Sequence, residues 1–151
     1  PHFPAPLRTR EPANLFLILI MRRLKERGRA AIVLPDGFLC GEGIETRIKE
    51  KLLEECNLHT IVRLPNSVFA PYTSIKTNLL FLEKGSPTKE IWYYEQQLPE
   101  GVKAYNKTKP MKVDEFNACR DWWGGEERKG REESENAWKV AIEEMELVNN
   151  Y

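Results

Sequence analysis

The sequence predicts an α/β fold, because short apolar runs alternate with helical patterns along residues 1–85. One amphipathic helix separates the apolar runs Arg29–Leu34 and Leu58–Leu64, which predicts parallel strands joined by a right-handed crossover. The run Ile75–Glu83 follows about ten residues later without an intervening helix, so we expect an antiparallel strand near the sheet edge. A complete α/β domain normally has more parallel strands, and these elements therefore predict one half of a sheet.

Two helices complete this half-domain. The first is expected to begin at Pro12, after Thr9 or Glu11, and to run through a basic end to Gly28. Its side chains are apolar on almost every side, which predicts deep burial, and the continuous apolar run of the first strand predicts cover on both faces. The second helix, Ile44–Cys56, places its apolar side chains on one side only.

Residues 86–151 are expected to form an extension that is partly mobile and acidic. Glu90–Gln96 has a strand pattern and is a candidate hairpin partner of the preceding strand. Val113–Trp123 is a candidate helix capped by Asp114, and the charged segment Gly124–Glu135 is expected to be mobile. Ala137–Tyr151 fits a strand or a short helix equally well.

The charge balance excludes a protein that is basic throughout. The chain has 23 basic and 23 acidic residues in 151, and 41% of its residues are hydrophobic, as in an ordinary folded domain. The formal charge is +3 over residues 1–65, +3 over residues 66–112 and −6 over residues 113–151. A local basic face therefore remains compatible with the zero total.

Cysteine usage and hydropathy indicate a cytoplasmic protein without a membrane segment. Cys40, Cys56 and Cys119 are too widely spaced for a zinc site or a disulfide framework, so we expect no metal. The longest apolar run, Leu15–Met21, is far too short to span a bilayer and lacks the features of a signal peptide.

The loop after the second strand contains the most informative candidate residues. Phe69 and Tyr72 lie where open α/β sheets bind ligands, and a loop aromatic ring can stack on a planar ligand such as a base. Lys76 is close enough in sequence to contact a phosphate. The alternative is that Phe69 packs inward and Lys76 is solvated, and the residues alone favour that alternative.

Pro35 and Asp36 follow the first strand in the same way, although a turn aspartate is the simpler interpretation. Neither a nucleophile elbow nor a phosphate loop is found in these 151 residues, and His59 is expected to pack in its strand.

Three long segments resemble the modification (M) subunit of type I restriction–modification systems. They are LFLILIMRRLKERGRAAIVLPDGFL, IKEKLLEECNLHTIVRLPNSVFAPYTSIKTNLLFLEKG and EIWYYEQQLPEGVKAYNKTKP. These subunits are DNA adenine-N6 methyltransferases that use S-adenosylmethionine. The resemblance implies part of a methyltransferase fold, a mixed sheet with an antiparallel final strand pair, and it implies DNA, a specificity subunit and a restriction subunit as partners.

The resemblance also implies roles for particular residues. Val68–Lys76 resembles the loop that holds the extruded adenine, with Phe69 as the best stacking candidate, Tyr72 beside it and Lys76 at its end. Pro35 and Asp36 resemble the turn that borders the target-base pocket. Thr9 and Glu11 belong to a segment that resembles the lining of the cofactor side.

Two family motifs do not occur among these residues: the glycine-rich cofactor loop and the catalytic Asn-Pro-Pro-Phe sequence. The resemblance therefore implies a C-terminal part of the catalytic domain that does not transfer methyl groups by itself. An alternative is a non-catalytic binding or interaction module that kept the fold, and a third, weaker one is a small α/β enzyme of another kind.

Overall fold

The structure, a computed structural model, describes residues 10–40 and 43–147. Its elements follow in the order α1 (Pro12–Arg23), β1 (Arg29–Pro35), α2 (Asp36–Cys40), α3 (Ile44–Glu55), β2 (Cys56–Arg63), β3 (Thr77–Lys84), β4 (Glu90–Glu95), a 3-10 helix (Val113–Phe116), α4 (Asn117–Trp123), β5 (Ala137–Ala141) and α5 (Ile142–Leu147).

The five strands form one mixed sheet in the order β1-β3-β2-β4-β5. β3 lies between β1 and β2 and is antiparallel to both. β1 and β2 therefore run in the same direction, and the reversed third strand is confirmed. β4 pairs with β2 in parallel, and β5 pairs with β4 in antiparallel orientation, so the sheet continues through the predicted extension. The boundary at residue 85 stays a prediction.

The main core lies between one face of the sheet and the helices α1 and α3. It is made of aliphatic side chains that are almost fully buried, among them Leu17, Ile18, Leu34, Ile48, Leu52, Ile61, Leu80 and Leu82. Burial of each such side chain contributes about 1.5–3 kcal/mol, so this layer fixes the positions of the strand ends.

Helix α1 is shorter and less buried than its composition predicts. It begins at Pro12 as expected, but it ends at Arg23, and the backbone N–H of Leu24 donates to Ile20 O at 2.9 Å. Gly28 instead closes a tight turn, where a Cβ atom would lie 2.7 Å from Lys25 O. The side chain of Phe16 is 63% exposed, because among the described residues no element packs on that side of the helix.

Strand β1 is likewise exposed on one face, against the expectation of cover on both. The side chain of Val33 is 46% exposed and Ala31 is exposed, whereas Leu34 is buried against the core. Within the described residues β1 pairs with β3 alone and is the edge strand of the sheet. An apolar edge of this kind normally carries a cover.

The predicted hairpin between β3 and β4 is wrong. Thr88 directs the chain elsewhere: its N–H donates to Leu53 O at 2.8 Å and its hydroxyl donates to Cys56 O at 2.7 Å. The same hydroxyl accepts the N–H of Leu58 at 2.8 Å. These bonds carry the chain past the start of β2, and β4 therefore joins the free edge of β2 instead of β3.

The C-terminal segments cover the second face of the sheet. The 3-10 helix precedes α4, and Lys112 occupies the capping position predicted for Asp114, since the Glu115 carboxylate accepts the Lys112 N–H. Glu115 also accepts the hydroxyl of Tyr105 at 2.8 Å. Burial and, after it, this hydrogen bond raise the pKa of Tyr105 to about 12. The last segment, left open between strand and helix, contains both β5 and α5.

Arg131 connects the segment 124–135 to the sheet. Its guanidinium lies 4.5 Å from the ring centroid of Trp122 and 4.7 Å from that of Trp123. It donates to Thr60 Oγ1 at 2.8 Å and to Trp123 O at 2.9 Å. The mobility of this segment stays a prediction, but Arg131 ties one of its residues to a central strand.

His59 packs in its strand, as predicted. Its ring meets Trp123 edge-on at 6.2 Å, and burial, with the charges of Arg128 and Arg131, lowers its pKa to about 3. The fold therefore favours the neutral imidazole. The stability that this provides is complete above the unfolded pKa of about 6.5 and is lost as the pH falls towards 3.

We therefore predict that His59→Phe flattens the acid limb of the stability profile. The urea midpoint of the unmodified chain should fall more steeply between about pH 6.5 and pH 4 than that of the variant. In this pH range the imidazole of His59 takes up a proton when the chain unfolds, whereas a phenylalanine does not. Parallel profiles for the two proteins would contradict this assignment.

Candidate functional site

The carboxyl ends of β1 and β2 meet the start of β3 at one end of the sheet. Pro35 pairs with Thr77, and the N–H of Asp36 donates to Lys76 O at 2.9 Å. The N–H of Leu64 donates to Thr77 O at 3.0 Å. The structure thus brings together three of the predicted site residues, Pro35, Asp36 and the backbone of Lys76.

Asp36 is the polar centre of this end. Its Oδ1 atom accepts the side-chain amide of Asn78 at 2.9 Å and the guanidinium of Arg63 at 3.4 Å. Asn78 is 1% exposed, whereas Asp36 and Arg63 are half-buried. Asp36 is therefore more than a turn residue, because its carboxylate links the ends of three strands.

Two further polar atoms are buried at the same end. The side-chain oxygens of Thr77 and Asn78 make no hydrogen bond within the described residues. Buried polar groups are normally paired, so these two oxygens are exceptions at this end of the sheet.

The loop between β2 and β3 folds as a series of tight turns. The N–H of Ala70 donates to Ser67 O at 3.0 Å, and the N–H groups of Tyr72 and Thr73 donate to Phe69 O at 2.9 and 3.3 Å. The hydroxyl of Ser67 accepts the N–H of the buried residue Tyr105 at 2.8 Å. Local bonds and an anchor 38 residues away therefore hold the loop in place.

The aromatic side chains of this loop face solvent. Phe69 is 40% exposed and Tyr72 is 91% exposed, and the side chain of Lys76 is also exposed. The interpretation of Phe69 as a fully packed anchor is thus disfavoured. Exposed aromatic rings on an ordered loop suit stacking on a planar ligand.

Of the two residues predicted on the cofactor side, Thr9 lies outside the described residues. Glu11 is exposed and occupies the N-terminal capping position of α1 without a side-chain cap bond.

In the part of the chain that the structure describes, no group of three His, Cys, Asp or Glu side chains could hold a metal ion. In the same residues, no helix is long and apolar enough to cross a membrane.

Sequence reasoning missed Arg63, Ser67, Asn78 and Tyr105. A usable signal existed for Arg63 and Asn78, since each is a polar residue directly beside an apolar run at the end of its strand. Ser67 and Tyr105 gave no signal, because their contact depends on how the long segment after β4 returns to the loop.

Comparison with known proteins decides the family. Residues 3–151 match the family described as N-6 DNA Methylase. The chain belongs to this family. It is also 62% identical over 152 aligned residues to the type I restriction enzyme EcoEI methylase subunit of Escherichia coli, an alignment that includes 99% of this chain and 31% of the relative. The EcoKI methylase subunit of E. coli K12 is 30% identical over 89% of this chain and 27% of the relative.

Solved structures of family members share the fold. A modification subunit of a type I restriction enzyme from Vibrio vulnificus YJ016 superposes with a TM-score of 0.88, at 51% identity, over 95% of this chain and 30% of that chain. The EcoKI M protein superposes with a TM-score of 0.77 and supports the fold alone, at 24% identity. The predicted methyltransferase fold and the resemblance to type I M subunits are confirmed.

The chain spans about a third of the length of these relatives. Its similarity to methylase subunits is continuous over nearly all of its residues, which does not favour the alternative of a non-catalytic binding or interaction module that kept the fold.

We predict that Asn78→Ala destabilises the chain by about 1–3 kcal/mol, because it leaves the Asp36 carboxylate without the shorter of its two side-chain hydrogen bonds. Asn117→Ala is the matched control: this side chain is exposed in α4, and we expect a change within about 0.5 kcal/mol. Urea denaturation of both variants measures the difference, and equal stabilities would show that the bond to Asp36 contributes nothing.

Proposed function

We propose that this chain forms the target-base side of the active site of a type I DNA adenine methyltransferase. In the full-length protein, the methyl group of S-adenosylmethionine would be transferred to adenine N6. The observation that supports this assignment best is the pair of exposed aromatic rings, Phe69 and Tyr72, on a loop at the carboxyl ends of the parallel strands β1 and β2.

Phe69 is the residue proposed to stack on the extruded adenine. Enzymes that modify a base inside duplex DNA must take it out of the helix, and a stacked aromatic ring replaces part of the lost base stacking. Such a contact is worth about 1–3 kcal/mol per base. Tyr72, which is more exposed than Phe69, is proposed to flank the base or the adjoining strand.

Asp36 and Pro35 are proposed to border the pocket, and Lys76 to contact a phosphate. Asn78 and Arg63 hold the Asp36 carboxylate, so the pocket wall is fixed before a base enters. Pre-organisation of this kind lowers the cost of ordering the site when the ligand binds.

On the cofactor side, we propose that Thr9 and Glu11 face the bound S-adenosylmethionine. The exposed carboxylate of Glu11 suits the hydroxyl groups or the ammonium of this molecule. One acidic side chain and one hydroxyl do not make a complete binding site. The glycine-rich loop and the Asn-Pro-Pro-Phe motif implied by the family are not among these residues, so we propose that the 151-residue chain alone is inactive.

The exposed apolar surfaces fit a place within a larger catalytic domain. Val33 on the edge strand β1 and Phe16 and Leu19 on α1 present apolar groups to solvent. We propose that the remainder of the subunit covers them. The proposed partners of that subunit are DNA, a specificity subunit and a restriction subunit, without a membrane, and the proposed location is the cytoplasm.

In the full-length subunit, assembled with its specificity subunit, Phe69→Ala should lower the rate of DNA adenine methylation by about 5- to 150-fold, the equivalent of 1–3 kcal/mol of stacking. Phe69→Trp keeps an aromatic face and should retain most of the activity. A methylation assay with a duplex carrying the recognition sequence measures both variants. Unchanged activity in Phe69→Ala would remove this ring from the base pocket.

Calorimetric titration of the 151-residue chain with S-adenosylmethionine should show no binding tighter than about 1 mM, a free energy of about −4 kcal/mol. The full-length protein serves as the positive control. Tight binding by the short chain would overturn the proposal that its cofactor side is incomplete.

A further inference from the structure

A polar cleft of about 500 Å³ lies at the amino ends of β2 and β4. It shares none of its lining residues with the proposed base pocket. The lining consists of Asn57, His59, Ser86, Pro87, Lys89, Glu90, Trp92, Glu127, Arg128 and Arg131.

The charges of this cleft do not balance. Each of its two carboxylates lies beside a lysine: Glu90 lies 3.8 Å from the ammonium of Lys139, and Glu127 pairs with Lys129. Neither of these lysines lines the cleft. The three lining cations, Lys89, Arg128 and Arg131, belong to no ion pair within the described residues.

The buried groups of the cleft experience this excess of positive charge. The Nη2 atom of Arg131 is buried and makes no hydrogen bond within the described residues. Burial and the nearby charge of Arg128 lower the Arg131 pKa to about 10, and the same two arginines help to lower the pKa of His59. An anion in the cleft would relieve a repulsion that the fold otherwise tolerates.

We propose that this cleft binds an acidic peptide segment of a partner protein, with Arg128 and Lys89 pairing with its carboxylates. The half-buried guanidinium of Arg128 supplies the specific contact, and the exposed ammonium of Lys89 supplies a second charge at the rim. Pro87 and Trp92 add apolar surface against which the stem of a glutamate side chain packs.

The position of the cleft favours a peptide over nucleic acid. Asn57 and Arg63 are six residues apart on β2, about 20 Å at the rise of a strand. The cleft and the Phe69 loop therefore lie at opposite ends of the sheet. This preference rests on the proposed function, in which DNA is bound at the Phe69 end, and a duplex would have to pass around the sheet edge to reach Arg128.

A fluorescent oligoglutamate peptide of about ten residues tests the proposal, since about 3.3 Å per residue lets it span the cleft with margin. Anisotropy titration of the full-length protein, without DNA or cofactor, should show saturable binding that weakens with salt. Arg128→Glu and Lys89→Glu should each weaken it by about tenfold or more. Lys25→Glu makes the same charge change at an exposed site outside the cleft and should have less than about a twofold effect.

The urea midpoint checks the folding of each variant separately from peptide binding. Each variant should keep the midpoint of the unmodified protein, so a loss of binding would not be a loss of folding. Peptide binding should also shift the NMR signals of the His59 ring and the Trp92 indole. Absence of peptide binding, or equal binding by Arg128→Glu, would overturn the proposal. So would a short DNA duplex that competes with the peptide and depends on Arg128, since the cleft would then be a nucleic-acid site. None of these outcomes depends on methylation, so the base-pocket proposal fails or stands independently.

Discussion

The insertion of β3 between β1 and β2 is the constraint on which the rest of the structure depends. Its backbone pairs with seven residues of each neighbour, and its side chains Leu80 and Leu82 are buried in the core beneath α1 and α3. Because β3 is antiparallel to β2, it begins at the end of the sheet where β2 finishes, which is also the carboxyl end of β1. The Phe69 loop connects β2 and β3 at that end, so strand direction and site position have the same cause.

A second constraint is the packing of Arg131 between two indoles. Arg131 is half-buried, and removing a guanidinium from water is costly unless it is paired or hydrogen-bonded; here two aromatic faces and two hydrogen bonds offset that cost. The arrangement attaches the segment after α4 to Thr60 on a central strand. It also places the positive charge of Arg131 beside His59. These two residues are far apart in the sequence, so no local pattern predicts this contact.

The sequence predicts the elements of this fold better than their environments. The strands at Arg29–Leu34, Leu58–Leu64 and Ile75–Glu83 and the helix at Ile44–Cys56 lie within about two residues of their observed bounds, because local apolar periodicity determines them. Local periodicity does not determine which strands pair. The hydrogen bonds of Thr88 that place β4 at the far edge of β2 connect residues 30 and 32 positions apart.

The same distinction applies to the candidate site. The positions of Phe69 and Asp36 at strand ends follow from the strand pattern, which the sequence contains. The partners that hold Asp36 lie 27 and 42 residues away, and no local pattern connects them. The exposure of Phe16 and Val33 could not be predicted either. Apolar periodicity reports that a surface will be covered, but it does not report whether the covering residues belong to the same segment.

The zero net charge conceals a separation of charge along the chain. The acidic excess of residues 113–151 is partly used in structure: Glu115 accepts the hydroxyl of Tyr105, Glu133 accepts the N–H of Lys139, and Glu127 neutralises Lys129. Carboxylates that already have a partner do not pair with other nearby cations, and Arg128 forms no ion pair within the described residues. An acidic segment can therefore contribute to a positive cleft, because the contacts of each carboxylate, more than the total count, set the local potential.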